Sequence, residues 1–351
     1  MTIDYQTEAL QTRPNSVQEM VTPIQGDRTL IDTAADLAAI AALLEIADEL
    51  GIFGQLESGL PLTAEELAAA AGTPVPGMES FLGALAAAGL VIRDSASRSV
   101  RVTDAFPQLR TAAGYLSWSL QAARPFIDNS LAFLTDRDSA AGLHARDSRD
   151  VALFSQWIGS SDIYPQDLSV VVSARPSHVV DLGAGTARFL IDALSELPDA
   201  TGVALDISAA ACALAAEGAR EAGLAGRLRV VQRSVESLAD DPSPIAGADV
   251  IHAGFVFHDL LSDPETSAAV LRSCKNALAP GGFLAISDAV PYSATARERM
   301  FSSLFTYLHE SFMNVRLPAE ETWRETFLAA GFSAVQCRPH KVPGGRLFIV
   351  K

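Results

Sequence analysis

Three observations predict an α/β fold, a mostly parallel sheet with helices on both faces, preceded by an α-helical unit. From residue 177 to the C-terminus, apolar strand-like runs alternate with helical patterns, and such alternation builds a parallel sheet covered on both sides. One run, His178-Val-Val-Asp181-Leu-Gly183-Ala-Gly185, ends on an acidic residue and two glycines and passes straight into a helical pattern. Upstream, residues 62–103 read as a capping box, two helices and a hairpin. At 351 residues the chain suits two domains rather than one.

Taken in order, residues 1–28 are polar, hold Pro14, Pro23 and Gly26, and predict an arm or disordered tail. Residues 29–111 predict a winged-helix-like unit. Its first helix, 32–50, is apolar on more than one face and stops at Gly51. A helix of that kind has more apolar surface than a small domain covers, which points to a homodimer. Thr63 and Glu66 form the capping box, the second helix spans 78–88, and Leu-Val-Ile-Arg93 with Arg101-Val-Thr makes the hairpin. Residues 112–170 predict a helical connector in which Trp118, Phe126, Phe133, Phe154 and Trp157 supply bulk near a cleft. The segment His144-Ala-Arg146-Asp147-Ser-Arg149-Asp150 is a charged loop within it. Residues 171–351 form the α/β domain.

Composition excludes several functions. A formal net charge of −16 repels nucleic acid and anionic membrane surfaces and favours a small-molecule substrate. A winged helix suggests DNA binding, but no Lys or Arg occurs from Gly51 to Ile92, so its second helix has nothing to offer phosphates. No run of 18 or more apolar residues suggests a membrane span. The N-terminal residues lack a basic segment followed by an apolar core, so a cytoplasmic protein is expected. Cys212, Cys274 and Cys337 are scattered singly, as reduced core thiols would be.

Glycines at the strand-to-helix turn allow close backbone approach by a ligand. Ala187 and Arg188 break the dinucleotide fingerprint, and no Gly-Lys-Ser/Thr follows to make a P-loop. Asp206 ends the next apolar strand about 20 residues on, where a carboxylate accepts ribose hydroxyls. In these residues the chain resembles the Rossmann-like class I methyltransferases that use S-adenosylmethionine (SAM). The resemblance implies a cofactor site at Asp181, Gly183, Gly185 and Asp206. Many such enzymes place Gly-Asp after the third strand to hold adenine; here Arg233 and Ser234 stand there, leaving the adenine contact to Ser234 or to backbone near Val235. The layout of the whole chain is similar to small-molecule O-methyltransferases, which carry a winged-helix domain for dimerisation.

A second site follows the fourth strand, at its carboxyl end, where open α/β sheets place their chemistry. It reads Phe257-His258-Asp259-Leu. Two readings compete. In O-methyltransferases a His-Asp pair here supplies the base, which makes His258 a histidine able to take a hydroxyl proton near neutral pH. Yet His309, on a later helix, adds a second imidazole, and two histidines with an aspartate are a ligand set for non-haem iron or a similar divalent metal. With Arg146-Asp147 and Leu317-Pro-Ala-Glu-Glu-Thr-Trp323, that constellation resembles the metal-dependent α-keto acid C-methyltransferases of the phenylpyruvate type. The leading expectation is therefore β-carbon methylation of an α-keto acid through a metal-chelated enolate. The resemblance implies iron or zinc on His258, Asp259 and His309, and Arg146 on the substrate carboxylate; Glu310, next to His309, is the substitute ligand if Asp259 does not itself bind the metal. Phe257, Phe305, Phe312 and Met313 suggest an apolar substrate side chain. O-methylation with His258 as base is the alternative, and a regulator without catalysis the third reading.

Overall fold

The computed structural model describes residues 28–292, 295 and 298–351; the expected N-terminal arm lies outside them apart from its last residue. The N-terminal unit begins with a helix, Arg28–Glu49, that buries Ile40, Ala41, Leu44 and Ala47 and leaves Leu30, Ile31 and Ile46 exposed. Thr63 and Glu66 make the capping box: the Thr63 hydroxyl accepts from the Glu66 N–H, and the Glu66 carboxylate accepts from the Thr63 N–H. Helices Ala64–Ala71 and Val75–Ala87 follow. Strands β1 (Leu62–Thr63), β2 (Val91–Asp94) and β3 (Ser99–Val102) form an antiparallel wing in the order β1-β3-β2.

The connector is a chain of helices rather than one rod. Phe106–Ser117 runs into a π-helical turn at Trp118–Ala122, short helices follow to Ala141, and Ser148–Asp162 and Tyr164–Ser173 lead to the sheet. Nothing in the residue pattern announced the π turn. Aromatic bulk explains why the segment is ordered: Trp157 is fully buried and stacks on Phe53 of the N-terminal unit, with ring centroids 4.8 Å apart.

The α/β half contains β4 (His178–Leu182), β5 (Thr201–Asp206), β6 (Leu228–Gln232), β7 (Ala248–Gly254), β8 (Leu278–Ala289), β9 (Val335–Pro339) and β10 (Gly345–Val350), in the order β6-β5-β4-β7-β8-β10-β9. β4 to β8 are parallel, and β10 runs antiparallel to both its neighbours. Val179, Val180 and Leu182 are wholly buried because β4 is central and covered on both faces. The chain leaves β4 in one direction, through β5 and β6, then crosses back to β7 on its other side. That reversal opens a crevice at the carboxyl ends of β4 and β7. Two apolar clusters cover the sheet, and a third joins the N-terminal unit and connector to Phe305, Leu308 and Phe312, roofing the crevice. Among the described residues, no helix is long and apolar enough to cross a membrane, and the three cysteines are free.

Candidate active site

The glycine loop is built by the ends of β4 and β5. Gly183 has φ +65°, and a Cβ there would lie 2.3 Å from Val256 Cγ2. Gly185 has φ +54° and faces open space, so the backbone is bare where a ligand would rest. Asp206 fixes the loop from the neighbouring strand: Oδ2 accepts from the Gly185 N–H at 2.8 Å, and Oδ1 from the Ser208 N–H at 2.8 Å. A carboxylate offers about four lone-pair sites, so each oxygen keeps one for a ribose hydroxyl. The connector reaches the same loop through Thr186, whose hydroxyl donates to Gln156 Oε1 at 2.8 Å. These features fit SAM. Asp181 is buried two residues ahead of Gly183. Ser234 and Val235 stand beyond β6, where the Ser234 oxygens hold a turn by accepting from the Ser237 N–H and hydroxyl.

Beyond β7, Phe255 adopts φ +56°, a conformation costing an L-residue about 1–2 kcal/mol. That turn aims the short helix Phe257–Leu260 at the crevice. His258 is buried, and Asp288 of β8 grips it twice: Oδ1 lies 2.7 Å from the ring Nδ1, and Oδ2 accepts from the His258 N–H at 3.0 Å. Burial disfavours the imidazolium, but the charge and hydrogen bond of Asp288, with Asp259 behind them, outweigh it and raise the His258 pKa above its ordinary value. Nδ1–H donates to Asp288, so Nε2 is the basic nitrogen. Sequence reasoning missed Asp288, although Ile-Ser-Asp288 at the end of an apolar strand carries an acidic signal like that of Asp206.

His309 opens a π-helical turn, His309–Met313, that closes on Asn314 at φ +59°. Its ring stands edge to face against His258, with centroids 4.9 Å apart, and stacks on Phe305 at 4.0 Å. Nδ1–H donates to the Phe305 carbonyl at 2.7 Å. Burial and the nearby positive charges of His258 and Arg146 push its pKa down to about 3, which keeps it neutral. Phe305 stacks in turn on Trp118 at 5.3 Å. Arg146 lies between the rings of Trp118 (5.8 Å) and Phe126 (5.5 Å), and its Nη2 donates to Met313 Sδ at 3.3 Å. Burial lowers its pKa, and the Asp259 charge partly restores it.

Two expected roles need correction. His258 and His309 do converge, but among the described residues no group of three His, Cys, Asp or Glu side chains is arranged to hold a metal ion. Asp259 is half exposed and reaches only to 3.5 Å from His258 Nε2. Phe305 packs on both imidazoles, and Glu310 turns toward the Tyr292 hydroxyl. Phe257 is not in the substrate cleft: it is 1% exposed and packs into the sheet core with Leu260 and Trp323. Phe312 is buried and stacks on Phe126, with ring centroids 5.4 Å apart.

Comparison with known proteins matches residues 33–105 to the O-methyltransferase dimerisation domain and residues 180–284 to a methyltransferase domain. Over 302 residues, 80% of this chain and 86% of the relative, it is 30% identical to the 2,7-dihydroxy-5-methyl-1-naphthoate 7-O-methyltransferase of Streptomyces carzinostaticus. Over 144 residues, 40% of this chain and 35% of the relative, it is 31% identical to aclacinomycin 10-hydroxylase RdmB of Streptomyces purpurascens. Human N-acetylserotonin methyltransferase in complex with SAM shares the fold, at TM-score 0.55 and 16% identity over 94% of this chain and 99% of that one. The expectation of α-keto acid C-methylation is overturned: the relative matched across most of both chains methylates oxygen, and the N-terminal unit is of the O-methyltransferase type.

Proposed function

The chain belongs to the SAM-dependent methyltransferases that carry an O-methyltransferase dimerisation domain, and on that premise we propose that it methylates a hydroxyl oxygen of a small aromatic acid, with His258 as the base. One observation carries this reading: a buried imidazole, locked by Asp288 with Nε2 as its basic atom, follows the carboxyl end of β7 and packs against Phe305, which stacks on Trp118. A histidine so placed can take the proton of a phenolic hydroxyl as the oxygen acquires its methyl. Bound SAM supplies an electrophilic methyl on a positively charged sulfur. The protein's share is alignment, holding oxygen and methyl about 3–3.5 Å apart. Gly183, Gly185 and Asp206 would hold the cofactor, Asp181 would lie beneath it, and Ser234 or backbone near Val235 would meet the adenine.

The substrate class follows from the walls. Trp118 and Phe305, stacked on each other, contribute apolar aromatic surface of the kind that suits an aromatic ring. Arg146 is a largely buried cation whose hydrogen-bond acceptor here is the weak Met313 sulfur. It therefore has donors left for an acidic group on the substrate, and the naphthoate named for the Streptomyces relative carries such a group. As the proton moves to Nε2, Asp288 and Asp259 stabilise the imidazolium formed. The neutral His309 presents its own Nε2 as a further acceptor.

The test is product analysis. Purified protein with SAM and a panel of hydroxynaphthoic and hydroxybenzoic acids should yield S-adenosylhomocysteine (SAH) and a methyl ether located by NMR. No transfer to oxygen across the panel, or undiminished turnover in His258→Ala, would overturn the reading.

A further inference from the structure

The glycine loop is held from two sides. On the first, β5 fixes it: the Ala184 N–H donates to the Leu205 carbonyl at 3.0 Å, and the Gly185 N–H to Asp206 Oδ2 at 2.8 Å. On the second, the chain leaves the loop through Ala187, which sits at φ +57°, ψ +21° and precedes the helix Arg188–Glu196 without a side-chain capping bond. An L-residue disfavours that left-handed conformation because its Cβ crowds the following carbonyl oxygen. Glycine would adopt it freely, yet this position carries a methyl group, and that methyl is fully buried. A residue of this kind persists only where its surroundings over-determine it.

Both neighbours of Ala187 are tied to residues outside the α/β half. The Thr186 hydroxyl donates to Gln156 Oε1 at 2.8 Å, on the connector helix Ser148–Asp162. Arg188 Nη1 lies 3.7 Å from Glu57 Oε2, at the end of the helix Phe53–Glu57 in the N-terminal unit, and Glu57 also pairs with Arg110. Of the two ties the hydrogen bond weighs more, since the ion pair is long and Arg188 is 38% exposed. Its anchor is firm. Gln156 precedes Trp157, which is fully buried and stacked on Phe53. Gly114 lets the helix Phe106–Ser117 close on that point: a Cβ there would lie 2.9 Å from Trp157 Cβ.

We propose that Thr186 is a positioning residue for the cofactor: through Gln156 it holds Ala187 in the left-handed turn, so that the bare backbone at Gly185 is in place before the ligand arrives. Cofactor affinity thereby depends on the connector and the N-terminal unit behind it, which lie outside the domain that carries the loop. The proposal rests on the reading of the glycine loop as the SAM site. A loop that populates the competent turn only part of the time binds more weakly by that fraction, while the bound complex reacts as before. Thr186 therefore acts on affinity and not on the methyl-transfer step.

Calorimetry with SAM, beside kinetics at saturating SAM, tests it. Thr186→Val keeps the shape and removes the hydroxyl; it should weaken SAM roughly 3- to 10-fold, the net worth of one hydrogen bond, with kcat changed far less. Thr186→Ser keeps the donor and should restore most of that affinity. Gln156→Met should match the loss of Thr186→Val, and the double variant should lose no more than either alone. In an Ala187→Gly background, where the left-handed turn carries no steric penalty, Thr186→Val should lose far less. Wild-type SAM affinity in Thr186→Val, even beside a lowered Tm, would overturn the proposal. So would additive losses or an undiminished loss in the Ala187→Gly background, either of which would mean that Thr186 touches the ligand directly. Asp206→Ala separates the two layers: normal SAM binding there would remove the cofactor-site reading itself. Weakened SAM binding there, beside an unaffected Thr186→Val, would remove the role of Thr186 alone.

Discussion

His258 Nδ1 and Asp288 Oδ1 stand 2.7 Å apart, and the second Asp288 oxygen takes the His258 backbone N–H, so one carboxylate fixes both the ring and the turn that carries it. The two residues are 30 positions apart and come from different elements, the end of β8 and the helix after β7. Ring orientation and tautomer are thereby set before any substrate arrives.

From that clasp, Asp288→Asn should lower kcat sharply while leaving SAM affinity intact. An amide can donate to Nδ1 and so stabilise the wrong tautomer, with the proton on Nε2. His258→Ala should cost on the order of 10²–10⁴-fold, the worth of a positioned base. Steady-state kinetics beside calorimetry would read both; equal losses of kcat and SAM affinity in Asp288→Asn would argue for a folding role instead.

The pH profile follows from the same pair. His258 must be neutral to act, and its pKa is raised, so kcat/KM should climb as pH rises through that value. The imidazolium–carboxylate pair contributes to stability with the opposite sign: fully below the unfolded pKa of about 6.5, and lost as pH passes the folded value. Activity should therefore increase over a range where Tm declines. His309, at about 3, adds no inflection near neutrality. A rate flat from pH 6 to 9 would contradict the assignment of His258.

The cofactor loop offers a matched pair of substitutions. Gly183→Ala drives a Cβ to 2.3 Å from Val256, which should cost about 1–3 kcal/mol of overpacking beyond about 1–2 for the left-handed backbone. Gly185→Ala meets open space and should lose only the backbone part, yet it should abolish SAM binding because its methyl occupies the cofactor's place. Asp206→Ala should weaken SAM by about 1–3 kcal/mol. Urea unfolding and calorimetry distinguish the three; a Gly185→Ala variant with normal SAM affinity would reject the loop as the site.

Much of this was legible in the sequence because it is local. The capping box at Thr63, the glycine loop and the acidic end of β5 are each written within a few residues, and the alternation after residue 177 dictates the sheet. The networks were not legible, because they join residues brought together only by strand order: Asp288 to His258, and His252 to Asp167 and Asp181. His309 drew the reading astray for a related reason. A second histidine suggests a metal when its partners are unknown, whereas among the described residues no group of three His, Cys, Asp or Glu side chains is arranged to hold one, and the His309 ring extends an aromatic stack. Phe257 misled in the opposite direction: adjacent to His258 in sequence, it points into the core.

Leu30, Ile31 and Ile46 remain exposed on the first helix of the dimerisation domain. A homodimer covering them should bury more than about 2,000 Å², as obligate interfaces do. Light scattering at micromolar concentration should give twice the chain mass, and Ile31→Glu with Ile46→Glu should shift it toward the monomer. A stable wild-type monomer would contradict this.

Arg146 decides which acceptors are taken. Its guanidinium is held between Trp118 and Phe126, and the flanking rings and the Met313 sulfur compensate a buried cation only weakly. A substrate carboxylate would supply the charge-assisted bonds that the site otherwise lacks, worth about 1.5–3 kcal/mol for a hydrogen bond to a charged group. Arg146→Met keeps the bulk and the apolar contact and removes the charge, so it should raise KM for hydroxyaryl acids by roughly 10- to 100-fold. Neutral phenols of the same size should be affected far less, because they never used the cation. SAM affinity should stay unchanged, since Arg146 faces the aromatic wall and not the glycine loop. Competition between an acid and its methyl ester separates the terms: the wild type should prefer the acid, and Arg146→Met should level the two. A wild type indifferent to that carboxylate would leave Arg146 without a substrate role and make its burial a matter of packing against the rings alone.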